Sequence, residues 1–142
     1  MSGKLVVFKL GQEEYALPVE NVKEITKLDK ITAVPDASAI VKGIVNLRGL
    51  VVPILDLQER LALKRSHCTI ALIAEIGGMP VGLAVNEVKE VNELGEPELP
   101  PSLIANPLIK GIINLGDRLI MILDLVKLVS EEEQAVLRKI GH

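Results

Sequence analysis

Few side chains in this chain have the type and spacing that chemistry needs. His67 and Cys68 are neighbours, and they form the only place where a metal set or a thiol nucleophile would begin. A structural or catalytic metal needs further His, Cys or carboxylate ligands clustered around such a pair, and the sequence offers none at a ligand spacing. No serine stands where it would build a triad with His67 or with His142 at the end of the chain. Cys68 enters an apolar run, the setting of a small buried hydrophobe, and a single cysteine excludes an internal disulfide. Asp56 and Asp124 occupy equivalent places in two similar stretches, and a duplicated helix cap accounts for both more simply than a carboxylate pair. Gly43, Gly49 and Gly111 do not fall in a phosphate-cradling pattern between a strand and a helix. The sequence therefore predicts a protein without catalytic activity, metal or cofactor.

What remains is a surface. Arg48 stands beside Gly49 in the stretch Gly43-Ile44-Val45-Asn46-Leu47-Arg48-Gly49, at the point where an apolar run must reverse direction and expose a side chain. The stretch Gly43 to Leu57 returns as Gly111 to Leu125 at a constant offset of 68, with eight of fifteen positions identical. Each copy reads as an apolar run, a polar turn at Asn-Leu and a second apolar run closing on Leu-Asp-Leu, which is the pattern of a β-hairpin. The tips differ. The second copy carries Gly116, Asp117 and Arg118 where the first carries Arg48, Gly49 and Leu50.

The elements around the hairpins repeat as well. Leu5 to Leu10 and Tyr15 to Val19 read as two strands about a turn at Gly11, and Val22 to Leu28 as a third. Thr69 to Ile76, Met79 to Val85 and Val88 to Val91 match them at an offset of 66. Ala37 to Val41 can close one helical turn, and Leu57 to Leu63 a short helix capped by Asp56. Ser130-Glu131-Glu132-Glu133 fits a capping box that opens a final helix, with an apolar stripe at Ala135, Val136, Leu137 and Ile140 and a stop at Gly141. Five short strands in about sixty-five residues curl into a small barrel, and one such barrel buries too little surface to be stable alone. The expected fold is mainly β: two tandem five-stranded barrels sharing an apolar core. Residues 4–64 would form the first, 69–129 the second and 130–141 the closing helix of a single 1–142 domain.

Composition agrees and excludes other classes. Nearly half of the 142 residues are apolar, almost all Val, Ile, Leu and Ala, with one Phe, one Tyr and no Trp. The net charge of −3 argues against nucleic-acid binding, which needs a basic footprint, and the missing aromatics remove stacking platforms. No apolar run is long enough to cross a bilayer, and the start of the chain lacks a cleavable leader pattern, so a cytoplasmic protein is expected.

The motif Gly43 to Gly49 followed by Val52-Pro53-Ile54-Leu55-Asp56-Leu57, together with Val22-Lys23-Glu24-Ile25 and the segment Gly82 to Val91, resembles the signature of CheW-like domains over essentially the whole chain. The resemblance implies that the two barrels are SH3-like. It also implies a non-catalytic coupling role in bacterial chemotaxis, linking the histidine kinase CheA, through its regulatory domain, to the cytoplasmic tips of methyl-accepting receptors. The positions matching Arg48, Val22, Glu24 and Gly43 are those associated with partner contact, and Asn46 and Gly49 of the same tip complete the candidate set. A helical receptor tip would lie in an apolar groove between the barrels. Two other readings compete: a regulatory domain detached from a CheA-type kinase, and a small barrel that binds a metabolite. The latter would have only Phe8 and Tyr15 to line a pocket.

Overall fold

Among the described residues ten strands carry the fold: β1 (Lys4–Leu10), β2 (Glu13–Pro18), β3 (Glu24–Lys27), β4 (Val41–Leu47), β5 (Leu50–Asp56), β6 (Ile70–Ile76), β7 (Met79–Val85), β8 (Glu87–Glu93), β9 (Ile109–Asn114) and β10 (Leu119–Leu123). Two helices accompany them among the described residues, α1 (Leu57–Arg60) and α2 (Glu131–Ile140), with 3₁₀ turns at Val19–Asn21 and Leu125–Leu128. The structure, a computed structural model, describes residues 3–35, 37–101 and 106–140.

The strands form two five-stranded sheets, ordered β8-β1-β2-β10-β9 and β3-β6-β7-β5-β4. Exchanging each strand for its repeat partner converts one order into the other, so the duplication read from the sequence is a structural pseudo-symmetry. The sheets do not follow the halves of the chain, however. One sheet is built from consecutive strands β3 to β7, while the other takes β1 and β2 from the first repeat and β8 to β10 from the second. The division at 64–69 is thus corrected: each repeat gives its first two strands to the sheet that holds the other repeat's last three. The parallel pairs β2–β10 and β5–β7 are the joints of this exchange. A contiguous split follows from assuming that neighbours in sequence pair with one another, and here non-local pairing won.

Continuous apolar runs such as Leu5-Val6-Val7-Phe8 arise because both faces of a strand are buried. Val6, Phe8 and Leu10 point into a core shared by the two sheets, with Leu17, Leu55, Leu72, Leu83 and Val85. Leu5 and Val7 point the other way, into the interior of their own barrel with Ile113, Ile120 and Ile122. Cys68, Val52, Ile54, Ala71 and Ile73 fill the second barrel. Phe8 and Tyr15 stack in the shared core with ring centroids 6.3 Å apart.

Two local expectations change, and a third is met. The third strand starts at Glu24 rather than Val22, because the 3₁₀ turn after Pro18 carries the chain from one sheet to the other and Val22 ends that turn. Ala37 to Val41 makes one hydrogen-bonded turn, Val41 N–H donating to Ser38 O at 2.9 Å, before Val41 enters β4. On α2 the capping box forms as read, Glu133 N–H donating to Ser130 Oγ at 3.1 Å and Ser130 N–H to Glu133 Oε1 at 2.9 Å. Its apolar stripe does not: Leu137 is buried while Ala135 and Val136 are exposed, since three consecutive residues of a helix cannot share one face. Gly141 and the side chain of Ile140 lie outside the described residues. Leu137 joins the shared core, and the space between the sheets is filled by side chains rather than left as an open groove.

Candidate functional site

The hairpin β4–β5 turns in two residues, Arg48 at φ 53° and Gly49 at φ 87°. Positive φ at both central positions is the type I′ turn, whose twist matches that of the flanking strands. Asn46 Oδ1 accepts a hydrogen bond from Gly49 N–H at 2.7 Å and holds the turn closed. Such a turn favours Asn or Gly at its first position, and an arginine there sits in a backbone region that costs it about 1 kcal/mol.

The Arg48 guanidinium forms a bidentate pair with Glu24, Nη1 donating to Oε2 at 3.1 Å and Nη2 to Oε1. β3 and β4 are the two edges of their sheet, so this pair, made from the hairpin tip, spans the seam along which the barrel closes. Glu24 is registered opposite Ile73, a residue of the barrel interior, which puts its carboxylate at the mouth of that barrel. The Arg48 hydrogen bond holds the Glu24 carboxyl below the usual carboxylate range, and Glu24 in turn raises the guanidinium. The arginine side chain nevertheless keeps 71% of its surface in solvent.

The remaining candidates divide. Asn46 and Gly49 shape the turn that presents Arg48. Val22 is half-buried against the shared core and offers little free surface. Gly43 is buried at a β-bulge of β4, where an added Cβ would meet Ile31 Cγ2 and lie 2.6 Å from Thr32 O. It therefore packs, letting the Thr32 segment pair with Ile44 across the barrel seam. Ile25, an apolar strand residue expected in the core, is 44% exposed, because β3 is an edge strand and ends the shared core there. Leu50, just past the tip, is 48% exposed. Neither carried a sequence signal beyond being apolar.

The second hairpin has a related turn, with positive φ at its first central residue alone, and a different charge arrangement. Gly116 has φ 89° and its N–H donates to Asn114 Oδ1 at 3.0 Å. Arg118 turns inward and pairs with Glu14 of β2 and, at 2.9 Å, with Glu90 of β8. Glu90 repeats Glu24 at the offset of 66, whereas Glu14 has Pro80 as its counterpart.

Beside the first tip, a groove of about 500 Å³ runs between β3 and β4, lined by Thr26, Leu28, Lys30, Thr32, Val45 and Leu47. No aromatic side chain lines it. Cys68 is buried and burial pushes its thiol up, as befits a packing residue. His67 is exposed on the linker before β6. Among the described residues, no three His, Cys, Asp or Glu side chains come together as a metal site would require. No described helix is long and apolar enough to cross a membrane.

Known proteins of the same kind share this architecture. The solved structure of the scaffolding protein TtCheW from Thermoanaerobacter tengcongensis superposes with a TM-score of 0.83 at 33% identity, covering 94% of this chain and 96% of that one. The chemotaxis protein CheW of Klebsiella aerogenes is 30% identical over 97% of this chain and 88% of its own length. That of Thermotoga maritima is 26% identical over 90% of this chain and 88% of its own. The family model described as the CheW-like domain matches residues 4–133. By its exchanged barrels, its Asn-Leu-Arg-Gly hairpin and these likenesses, the chain belongs to the CheW-like domain family.

Proposed function

We propose that the chain is a non-catalytic adaptor of bacterial chemotaxis, coupling methyl-accepting receptors to the histidine kinase CheA, and that the Arg48 tip is one of its contact surfaces. The observation that carries this reading is Arg48 itself. It occupies a left-handed turn position better suited to Asn or Gly, remains largely in solvent, and has one carboxylate partner where Arg118 has two. A residue that breaks a local rule without a matching gain in stability marks a functional position. The bidentate fork also has donors left over for a partner's carboxylate or carbonyl. Leu50, one residue beyond Gly49 in the chain, supplies exposed apolar surface, so a polar rim lies close to an apolar element, as at many protein interfaces.

Titration of an Arg48→Glu variant against the CheA regulatory domain and a receptor cytoplasmic fragment tests the proposal. Affinity for at least one of them should fall on the order of tenfold, about 1.4 kcal/mol, with the thermal midpoint nearly unchanged. Equal affinity for both partners would remove Arg48 from the interface. A detached kinase regulatory domain is separated from an adaptor by a second assay. Only an adaptor, added to intact CheA and receptor, restores receptor control of autophosphorylation.

A further inference from the structure

The chain passes from one sheet to the other twice, between β2 and β3 and between β7 and β8. The first crossing is the 3₁₀ turn Val19–Asn21. Among the described residues, the side chains of Glu20 and Asn21 have no hydrogen-bond partner. The second crossing is a single residue, Asn86, which repeats Glu20 at the offset of 66.

Asn86 is bonded at each of its polar groups. Its Oδ1 accepts from Gly11 N–H at 2.6 Å, in the turn between β1 and β2. Its Nδ2 donates to His67 O at 2.7 Å and to Ser66 Oγ at 3.0 Å, on the linker that leads into β6. Its backbone N–H donates to Lys9 O at 3.0 Å, and its carbonyl accepts from Thr69 Oγ1 at 3.3 Å. Ser66 is held further by the buried Gln58 of α1, whose Oε1 accepts from Ser66 N–H at 3.2 Å. Lys9 and Gly11 belong to one barrel. Ser66, His67 and Thr69 flank the strands of the other.

We propose that Asn86 is the positioning residue that fixes the angle between the two barrels. The shared core holds them together, but apolar burial has no direction and packed layers can shear by small amounts. Hydrogen bonds weaken steeply off line, so a residue with all its polar groups bonded, to Gly11 and Lys9 on one side and to Ser66, His67 and Thr69 on the other, sets an angle that burial alone leaves soft. The opposite crossing has no such pin, and a further directional tie between the halves is the Arg60–Glu133 pair joining α1 to α2. For a scaffold that uses surfaces on both barrels, that angle decides whether two partners can be held at once.

Amide residual dipolar couplings measured on the full chain in an aligned medium test this. In the unaltered protein one alignment tensor should fit both sheets. In Asn86→Leu, each sheet should still fit a tensor of its own, with the two tensors differing in orientation or magnitude. A purely structural loss lowers the melting temperature without separating the tensors, so a common tensor in folded Asn86→Leu overturns the proposal. If that variant does not fold, Ser66→Ala takes its place. It leaves Asn86 its bonds to Gly11 and His67, and should separate the tensors in the same sense by less. A common tensor there overturns the proposal equally.

Discussion

Replacing Gly43 by alanine separates a packing role from a contact role at a position the family resemblance associates with partner binding. An alanine Cβ would lie 2.6 Å from Thr32 O, and that atom is a backbone carbonyl that cannot rotate aside. The Thr32 segment must therefore move away from β4. Two hydrogen bonds hold it there, Thr32 N–H to Ile44 O at 2.9 Å and Ile44 N–H to Thr32 O at 2.8 Å. Losing or stretching both costs about 1 to 3 kcal/mol, and residual overpacking against Ile31 adds to it, giving about 2 to 4 kcal/mol in all. Gly49→Ala is the contrast: no atom lies within 4 Å of its added Cβ, so only the left-handed backbone counts, about 1 kcal/mol. With a slope of about 2 kcal/mol per molar urea, Gly43→Ala should lower the urea midpoint by about 1 to 2 M. Hydrogen exchange should quicken at the Thr32 and Ile44 amides, while amides of β1 and β2 in the other barrel keep their protection. An unchanged midpoint with unchanged protection, accompanied by lost partner binding, would refute the packing account and return Gly43 to the interface.

Three further outcomes follow from the same geometry. Asp56→Ala should cost about 1 to 2 kcal/mol, because Oδ1 caps α1 by accepting Glu59 N–H at 3.1 Å, while Asp124→Ala, whose side chain makes no cap bond, should stay within about 0.5 kcal/mol in parallel denaturant titrations. Leu137→Ala should cost about 2 to 4 kcal/mol by emptying the site where α2 meets the shared core, read as a lower midpoint. Glu14 tests the electrostatics: its hydrogen bond from Arg118 holds its carboxyl below the ordinary value near 4.5. The unfolded chain then binds more protons in that window, so this stabilisation is full above the ordinary value and is lost as pH falls through the lowered one. Stability of Glu14→Gln should accordingly change less on acidification than that of the unaltered protein, and parallel curves would sink the assignment.

The parts of the fold that were legible in the sequence are those written locally. Hairpin β4–β5, the cap at Asp56 and the Ser130–Glu133 box each follow from a few adjacent residues, and the structure builds them as read. The pairing of β2 with β10 and of β5 with β7 was not legible, because nothing in Tyr15-Ala16 specifies Met121-Ile122 as a neighbour. Residue type misled at Ile25 for a related reason: an apolar side chain favours burial, but nothing local says whether another strand covers it. At the site, the exposed tip could be read from Arg48-Gly49 beside an apolar run. Its bond to Glu24 could not, since the two are joined only by the closure of the barrel. The resemblance associated both with partners, and the structure brings them together. The parallel between Asp56 and Asp124 failed as a shared cap because only the first is followed by a helical turn that offers an amide to its side chain.

The two hairpins show how one duplicated unit comes to have two surfaces. In one barrel Arg118 lies between Glu14 and Glu90, both at the mouth, and keeps 29% of its side chain exposed. Its hydrogen-bonding capacity is turned inward, and the mouth is sealed by the protein's own charges. In the other barrel Glu24 repeats Glu90, but Pro80 stands where Glu14 would, and the place of Arg118 is taken by Leu50. An arginine has moved two residues earlier, onto the left-handed corner of the turn, and reaches back to the one carboxylate that remains. An exposed pair of this kind adds little to stability, because solvent screens it and two long side chains must be ordered to make it. The geometry that is poor for holding the barrel shut leaves most of the Arg48 side chain in solvent, which is what the proposed contact requires. A symmetric pair of sealed mouths would make a stable double barrel with no distinguished end. Opening one of them, at the cost of a strained turn residue, gives the molecule a direction.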